Sequence, residues 1–245
     1  MRYTVFIVLP AYNEEKSIGK LVHRISIAMD DASIEKYQII AVNDGSSDGT
    51  LAKLQELQAN FPIKILNHSE NKGLGATLRD GLAEASRRSI PEDIIITMDA
   101  DDTHSPGLIL RMVRMIKEGH DVVIASRYRE GSRIIGCSRF RRMMSYGASW
   151  LFRLTFPIPG VRDFTCGFRA YRAEVINNAI SQYGDKFIDQ DGFQCMVDVL
   201  LKLRKHNIIF GEIPFILRYD LKEGSSKMNV GKTVKNTLLL MLKRI

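Results

Sequence analysis

Apolar positions follow two rhythms along the first half of the chain. Short, mostly apolar runs have the length of buried strands: Tyr3–Leu9, Tyr37–Val42, Ile63–Leu66, Asp93–Met98 and Val122–Ala125. Between them apolar residues recur every three or four positions. Ile18, Leu21, Val22 and Ile25 do so within Ser17–Ala28, and Leu74, Leu78 and Leu82 within Gly73–Ser86. That spacing predicts helices, and Thr50–Ala59 reads as another. Ser105-Pro106 marks a helix start, a polar cap residue followed by proline in the first turn. Continuous apolar strands alternating with helices predict an α/β fold, a mostly parallel sheet with helices on both faces. Ligands of such sheets sit beyond the carboxyl ends of the strands.

Beyond Ser126 the alternation weakens. Ser138–Leu154 has the pattern of a basic helix with an apolar face, and Val161–Tyr171 of loop and strand. Gly192–Lys205 reads as helix, Ile208–Leu217 as strand and Asn229–Arg244 as a terminal helix. No internal repeat or linker interrupts the 245 residues, so we expect one domain over 1–217 and an extension over 218–245. The longest strictly apolar runs, Val5–Leu9 and Leu238–Leu242, have five residues, where a spanning helix needs about 20. The start of the chain lacks the layout of a signal peptide, and the cysteines (Cys137, Cys166, Cys195) are few and scattered. A cytoplasmic, reducing location is the expectation.

Charge changes this picture in one place. Between Ala125 and Val175 stand ten arginines, no lysine and three acids, a surplus equal to the whole net charge of +7. A solvated face needs no particular cation. Arginine alone suits the paired oxygens of phosphate. Polyphosphate and anionic lipid fit that surplus. Nucleic acid does not, because its stacking platforms and motifs are absent.

The strand-end loops carry the chemistry. The first strand ends in Leu9-Pro10-Ala11-Tyr12-Asn13-Glu14-Glu15, where Tyr12 could stack on a base and Glu14 could accept from a ribose hydroxyl. Asn13 and Glu14 equally suit the start of a helix. The second ends in Val42-Asn43-Asp44-Gly45-Ser46-Ser47-Asp48-Gly49-Thr50, with Asp44 placed for a nucleoside and Asp48 for a helix cap. The fourth ends in Met98-Asp99-Ala100-Asp101-Asp102-Thr103-His104. Three carboxylates so close repel unless a cation joins them, and hard oxygens favour Mg²⁺ or Mn²⁺ shared with substrate phosphates. We assign Asp99 and Asp101 to the metal and leave Asp102 to the helix start. No serine triad, Walker loop or dinucleotide fingerprint is present.

With these stretches, and with Asn71-Lys72-Gly73-Leu74-Gly75, Ala125-Ser126-Arg127-Tyr128, the run Arg162–Tyr171 and Gly211-Glu212-Ile213-Pro214, the chain resembles family-2 glycosyltransferases of GT-A fold. The dolichyl- or polyprenyl-phosphate mannosyltransferase group is the nearest within that family. The resemblance covers nearly the whole chain, in family order. It implies a GT-A catalytic domain over 1–217, followed by a phosphate-covering loop and a C-terminal amphipathic helix. It implies a nucleoside pocket lined by Pro10, Tyr12, Glu14, Val42 and Asp44. It makes Asp99-Ala100-Asp101 the Asp-x-Asp that holds metal on the donor diphosphate. Thr103 stands where the family often has glutamine, so a weaker oxygen ligand, or water, takes that place. Arg127, and Arg141 or Arg142, match arginines that approach phosphate. Arg218, Ser226 and Lys227 match the late loop over the diphosphate, with Lys222 competing. Asp198 matches an acid on the helix after the acceptor loop, whereas Asp189-Gln190-Asp191 departs from the family wording.

The implied reaction is an inverting transfer of a sugar, mannose from GDP-mannose by family expectation, onto a polyprenyl phosphate. Asp101, Arg127 and Asp191 are the catalytic candidates, Asp191 as the base that a hydroxyl acceptor would require. A lipid acceptor implies a membrane surface, which Arg133–Trp150 or Val230–Ile245 could meet. Two alternatives stay open: transfer from a UDP-sugar to a glycan or lipid hydroxyl, and a nucleotide-sugar-binding protein without catalysis.

Overall fold

The structure is a computed structural model that describes residues 3–137 and 139–221. Seven strands form the main sheet in the order β3-β2-β1-β4-β7-β5-β8. The first five strands and their helices follow the apolar rhythm: β1 (Val5–Ala11), α1 (Glu15–Asp31), β2 (Tyr37–Asp44), α2 (Thr50–Gln58), β3 (Ile63–His68), α3 (Leu74–Arg88), β4 (Ile94–Thr97), α4 (Ile109–Lys117) and β5 (Val122–Ser126). β1 is buried at every position but Pro10, and β4 and β5 are buried throughout, as strands covered on both faces must be. β1, β2, β3 and β4 pair in parallel, so their carboxyl ends share one edge.

The second half departs from the expectation in four places. β7 (Arg169–Arg172) enters antiparallel between β4 and β5. Local pattern carries no information about such an insertion. Before it come a short strand, β6 (Arg133–Ile135), and the basic helix α5 (Arg139–Thr155). After it comes α6 (Ala173–Tyr183), which buries Ala173, Ile176 and Ala179 at helical spacing, a signal within a stretch we left unassigned. Helix α7 (Cys195–Leu203) is shorter than Gly192–Lys205. The expected strand Ile208–Leu217 is two strands broken at Phe215: β8 (Phe210–Pro214) pairs with β5, and β9 (Ile216–Arg218) leaves to pair with β6 in a separate two-stranded sheet.

The boundary at 217 therefore falls inside β9. The expected terminal helix, with Lys222, Ser226 and Lys227, lies outside the described residues. Pro106 begins a 3-10 turn ahead of α4, and the Ser105 side chain makes no capping bond there. Among the described residues no helix is long and apolar enough to cross a membrane.

Candidate active site at the strand ends

The loops after β1 and β2 are laced together by polar bonds. Asn13, with φ at 52°, accepts the Ser47 amide at 2.8 Å, and its own amide donates to Ser46 Oγ at 2.9 Å. Glu14 donates its amide to Thr50 Oγ1 and accepts the Ser17 hydroxyl at 2.8 Å. Asp48 caps α2 through the Thr50 amide. These bonds settle Asn13 and Asp48 as loop-shaping residues and leave Pro10, Tyr12 and Glu14 half-buried at the edge. Val42 is fully buried in the core. Asp44 turns inward as well: it accepts the amides of Lys72 at 2.9 Å and Gly73 at 3.0 Å. His68 Nδ1 stands 2.8 Å from the same carboxylate, with Asp80 on its other ring nitrogen at 3.0 Å. Asp44 thus fixes the start of α3. The residues around it that the sequence reading missed are His68 and Asp80.

The acidic loop after β4 divides by burial. Asp99 stays partly exposed, its amide donating to His104 Nδ1 at 3.2 Å. His104 is itself buried, stacked on Phe168 at 5.2 Å and edge-on to Phe215 at 5.6 Å. Asp101 is buried, its Oδ1 accepting the amide of Thr103 at 3.2 Å and its hydroxyl at 2.7 Å. Thr103, expected as a metal ligand, holds Asp101 through both its amide and its hydroxyl. Asp102 takes φ 58° and turns away to Arg24 of α1, with Lys20 at 3.8 Å, so it does not join the pair. Ala100 between them is buried.

These residues fit a hard divalent cation. Two hard carboxylates leave alternate positions of one loop, and among the described residues no cluster of three or more His, Cys, Asp or Glu has metal-binding geometry. Such a half-shell suits Mg²⁺ or Mn²⁺, which complete their coordination with substrate phosphate and water. Thiolate chemistry is closed to the two buried cysteines, because burial pushes Cys166 and Cys195 up to about 12.

Across the sheet edge, Arg127 follows β5 and is locked by Asp163. Its Nε and one terminal nitrogen reach the two carboxylate oxygens at 2.8 and 2.7 Å, and its amide donates at 3.0 Å. The same terminal nitrogen reaches Thr165 Oγ1. Nη1 is the guanidinium nitrogen that neither residue engages. Burial pushes the Asp163 carboxyl up, but the charge and bonds of Arg127 outweigh it, and the net shift is downward. The turn at 162–163 is held in turn by Glu212 of β8, whose Oε1 accepts the amides of Arg162 at 2.6 Å and Asp163 at 2.7 Å. Its Oε2 faces the Arg129 Nε at 3.4 Å. Asp163 and Glu212 lay inside recognised stretches, but without a role that sequence alone could assign.

Burial, the largest cause, drives the Glu212 carboxyl above its usual range. A raised folded value means that this group's stability is present below the unfolded value and lost as pH rises through the folded one. Glu212→Gln keeps the Oε1 acceptor and removes the ionisation. It is expected to raise the urea midpoint at pH 7 by roughly half a molar, with the gain vanishing toward about pH 4. A lower midpoint at pH 7 would sink this account of Glu212.

The remaining predicted residues are more spread out. Arg218 is paired side by side with Asp220 at 2.9 and 2.8 Å, while its amide donates to the Thr103 carbonyl at 3.2 Å, which brings β9 against the acidic loop. Arg142 is exposed on α5, and the Arg141 side chain lies outside the described residues. Asp191 is exposed, its carbonyl accepting the Gly75 amide at 3.0 Å at the start of α3.

Comparison with known proteins places this arrangement. Residues 6–179 match the family model described as glycosyl transferase family 2. Over 231 residues the chain is 32% identical to a dolichol-phosphate mannosyltransferase of Pyrococcus furiosus, covering 94% of this chain but 60% of that one. Over 234 residues it is 27% identical to a polyprenol monophosphomannose synthase of Mycolicibacterium smegmatis, covering 95% and 83%. In structure it resembles glucosyl-3-phosphoglycerate synthase of Mycobacterium tuberculosis, solved with Mn²⁺ and UDP, with a TM-score of 0.69 and 18% identity over 99% of this chain and 80% of that one. That likeness establishes the GT-A fold.

Proposed function

The chain belongs to glycosyl transferase family 2, and on that premise we propose that it moves mannose from GDP-mannose onto a polyprenyl phosphate, with inversion and with Mg²⁺ or Mn²⁺. The observation that carries this reading is the pairing of two opposite charge devices at one sheet edge. Asp99 and Asp101 leave β4, and the locked Arg127 leaves β5 two strands away. The names of the two curated relatives support the acceptor and the sugar.

Asp99 and Asp101 would hold the metal, which when bound offsets the negative charge that gathers on the departing diphosphate. Tyr12 and Glu14 would meet the nucleoside, above the floor set by Asp44. Arg127 would present Nη1 to the acceptor phosphate, fixed in aim by Asp163, with Arg142 or Arg141 and the late-loop Ser226 and Lys227 as further phosphate partners. An acceptor phosphate oxygen forms the new bond to the anomeric carbon as the bond to nucleoside diphosphate breaks. A phosphate with second pKa about 6 is already ionised near neutrality, so no side chain need take a proton. Asp191 would serve as a base for a hydroxyl acceptor only.

A lipid acceptor requires a surface that tolerates membrane. Helix α5 offers one: Met143, Trp150 and Leu154 are 62%, 62% and 61% exposed on the side opposite its buried Ser149 and Phe152, and Arg142 is exposed beside them. From Gly131 to Arg162 the chain has six arginines and no acid. Apolar side chains flanked by cations suit an anionic bilayer.

The test is transfer from labelled GDP-mannose and UDP-glucose, in parallel, to a polyprenyl phosphate with Mn²⁺. Mannosyl lipid is expected. Metal-dependent donor hydrolysis without lipid product would move the acceptor to a hydroxyl. Trp150→Glu with Leu154→Glu is expected to lower partition onto anionic vesicles at least about tenfold, while transfer to a detergent-dispersed short acceptor persists. Unchanged vesicle binding would sink the α5 assignment alone.

A further inference from the structure

A second cationic device stands behind the site. Lys202 of α7 is 4% exposed, although lysine is almost never buried unless paired. Its Nζ lies 2.7 Å from Asp198 Oδ2, 3.3 Å from Asp189 Oδ1 and 3.1 Å from the Phe187 carbonyl, and it also donates to the Lys186 carbonyl. One ammonium therefore ties the turn at 184–188, and Asp189 after it, to α7. Burial pushes the Asp189 carboxyl up, but its bonds to Gln190 and Asp198 and the charge of Lys202 prevail, holding it well below the usual carboxylate range.

The segment so tied runs straight into the site. At one end its backbone lies against the start of α3, where Gly75 donates to the Asp191 carbonyl. A Cβ on Gly75 would stand 1.7 Å from the Gln190 carbonyl oxygen, and one on Gly73, with φ at 87°, 2.8 Å from that of Asp191. This is the same turn whose amides Asp44 binds. At the other end the segment becomes α7, whose first turn adjoins the metal residues. A Cβ on Gly167 would lie 3.1 Å from Asp99 Oδ1 and 3.9 Å from Met196 Sδ. Residues 189–196 thus span from the nucleoside end to the metal end, carrying Asp191 and the exposed Phe193 between them.

We propose that Lys202 is a positioning residue for sugar transfer, its ammonium fixing the 186–191 segment so that Asp191 and Phe193 form a rigid wall on the donor-sugar side of the site. This rests on the transferase reading. A buried ammonium is a poor way to gain stability, because its desolvation is costly and a well-packed apolar side chain does as well. What the charge supplies is direction: the Lys186 and Phe187 carbonyls and Asp189 Oδ1 fix the path of a segment that leaves a single 3-10 turn and then runs irregularly to α7.

The test uses the full chain with Lys202→Met and Asp198→Asn together, so that no buried charge is stranded. The Gly75 amide is expected to exchange with solvent at least about tenfold faster, and kcat for metal-dependent donor turnover to fall at least about tenfold, since small misplacements at a site cost up to about a hundredfold. Affinity for GDP with Mn²⁺ should stay within about threefold, because Asp44 keeps its Lys72 and Gly73 amides and Asp101 its Thr103 bonds when the segment loosens. Adding Asp191→Asn to the pair should cost less than it does alone, a non-additivity that a merely structural role would not give. Unchanged Gly75 exchange, or faster exchange with unchanged kcat, overturns the proposal. Asp189→Asn, half-exposed and milder, should shift Gly75 exchange the same way and serves where the pair folds poorly. Gly75 exchange needs no substrate and donor hydrolysis needs no acceptor. A wild-type chain that turns over no donor would overturn the transferase reading instead, with Gly75 exchange still judging the clamp.

Discussion

Asp101→Ala is expected to lower sugar transfer by about a thousandfold or more while leaving the fold intact. Charge developing on a leaving diphosphate is the largest burden in such a displacement, and losing one preorganised stabiliser of developing charge typically costs about a hundred- to a thousandfold. On the proposed reading the loss is greater, because the cation would lose one of the two protein carboxylates that hold it. Asp101→Asn keeps an oxygen to accept the Thr103 hydroxyl and removes only the charge. Its loss should therefore be smaller, about a hundredfold. The unliganded Asp101→Ala chain should melt close to the wild-type temperature, since relief of repulsion from Asp99 offsets the loss of its bonds from Thr103. The rise in melting temperature on adding Mn²⁺ with GDP should disappear. Initial rates across a Mn²⁺ series, with melting curves beside them, decide the matter. Retention of more than a tenth of wild-type activity would remove Asp101 from the metal site.

The distribution of what could be read from sequence follows from the range of the interactions. Strands such as Ile94–Thr97 and helices such as Leu74–Arg88 declare themselves by period, because their burial is set by neighbours a few residues away. The acidic loop is readable for a different reason: three carboxylates in four residues repel unless something takes them up, and only Asp102 finds an ordinary partner, in Arg24. The antiparallel β7 was not readable, since the gap it fills lies between strands fixed by distant sequence. The stretch Ile208–Leu217 divides at Phe215, just past Pro214, where β6 offers the second part a partner. Residue roles fared likewise. Asp44 was legible as a strand-end acid, but its bonds to Lys72 and Gly73 span 28 and 29 positions and those of Asp163 to Arg127 span 36. Thr103 was read by its place in a motif, whereas its hydroxyl spends its proton on the neighbouring carboxylate.

The second large effect is expected at Asp163, which touches no substrate. It is fully buried and accepts five hydrogen bonds: three from Arg127, and the amides of Thr165 at 3.2 Å and Cys166 at 3.1 Å. Asp163→Ala strands a largely buried guanidinium and leaves those donors unmet. Breaking one side of a buried ion pair costs about 3–5 kcal/mol, so the variant should unfold at a much lower urea concentration. Transfer should fall with it, because the guanidinium loses the two anchors that aim Nη1. Stability and aim can be separated. Arg127→Met with Asp163→Asn removes both charges, keeps an oxygen for the amides of Thr165 and Cys166, and should recover most of the lost stability while recovering none of the transfer. The pH dependence has a definite sign. Arg127 holds the Asp163 carboxyl below its usual range, so its contribution is present above the unfolded value of 3.8 and lost as pH falls through the lower folded one. The gap in urea midpoint between wild type and Asp163→Asn should therefore be full at pH 7 and narrow only below about pH 4. A gap that closes instead between pH 7 and 5 would mean that Asp163 is not ionised against Arg127. A double variant that regains transfer along with stability would mean that Arg127 serves the fold and not the acceptor phosphate.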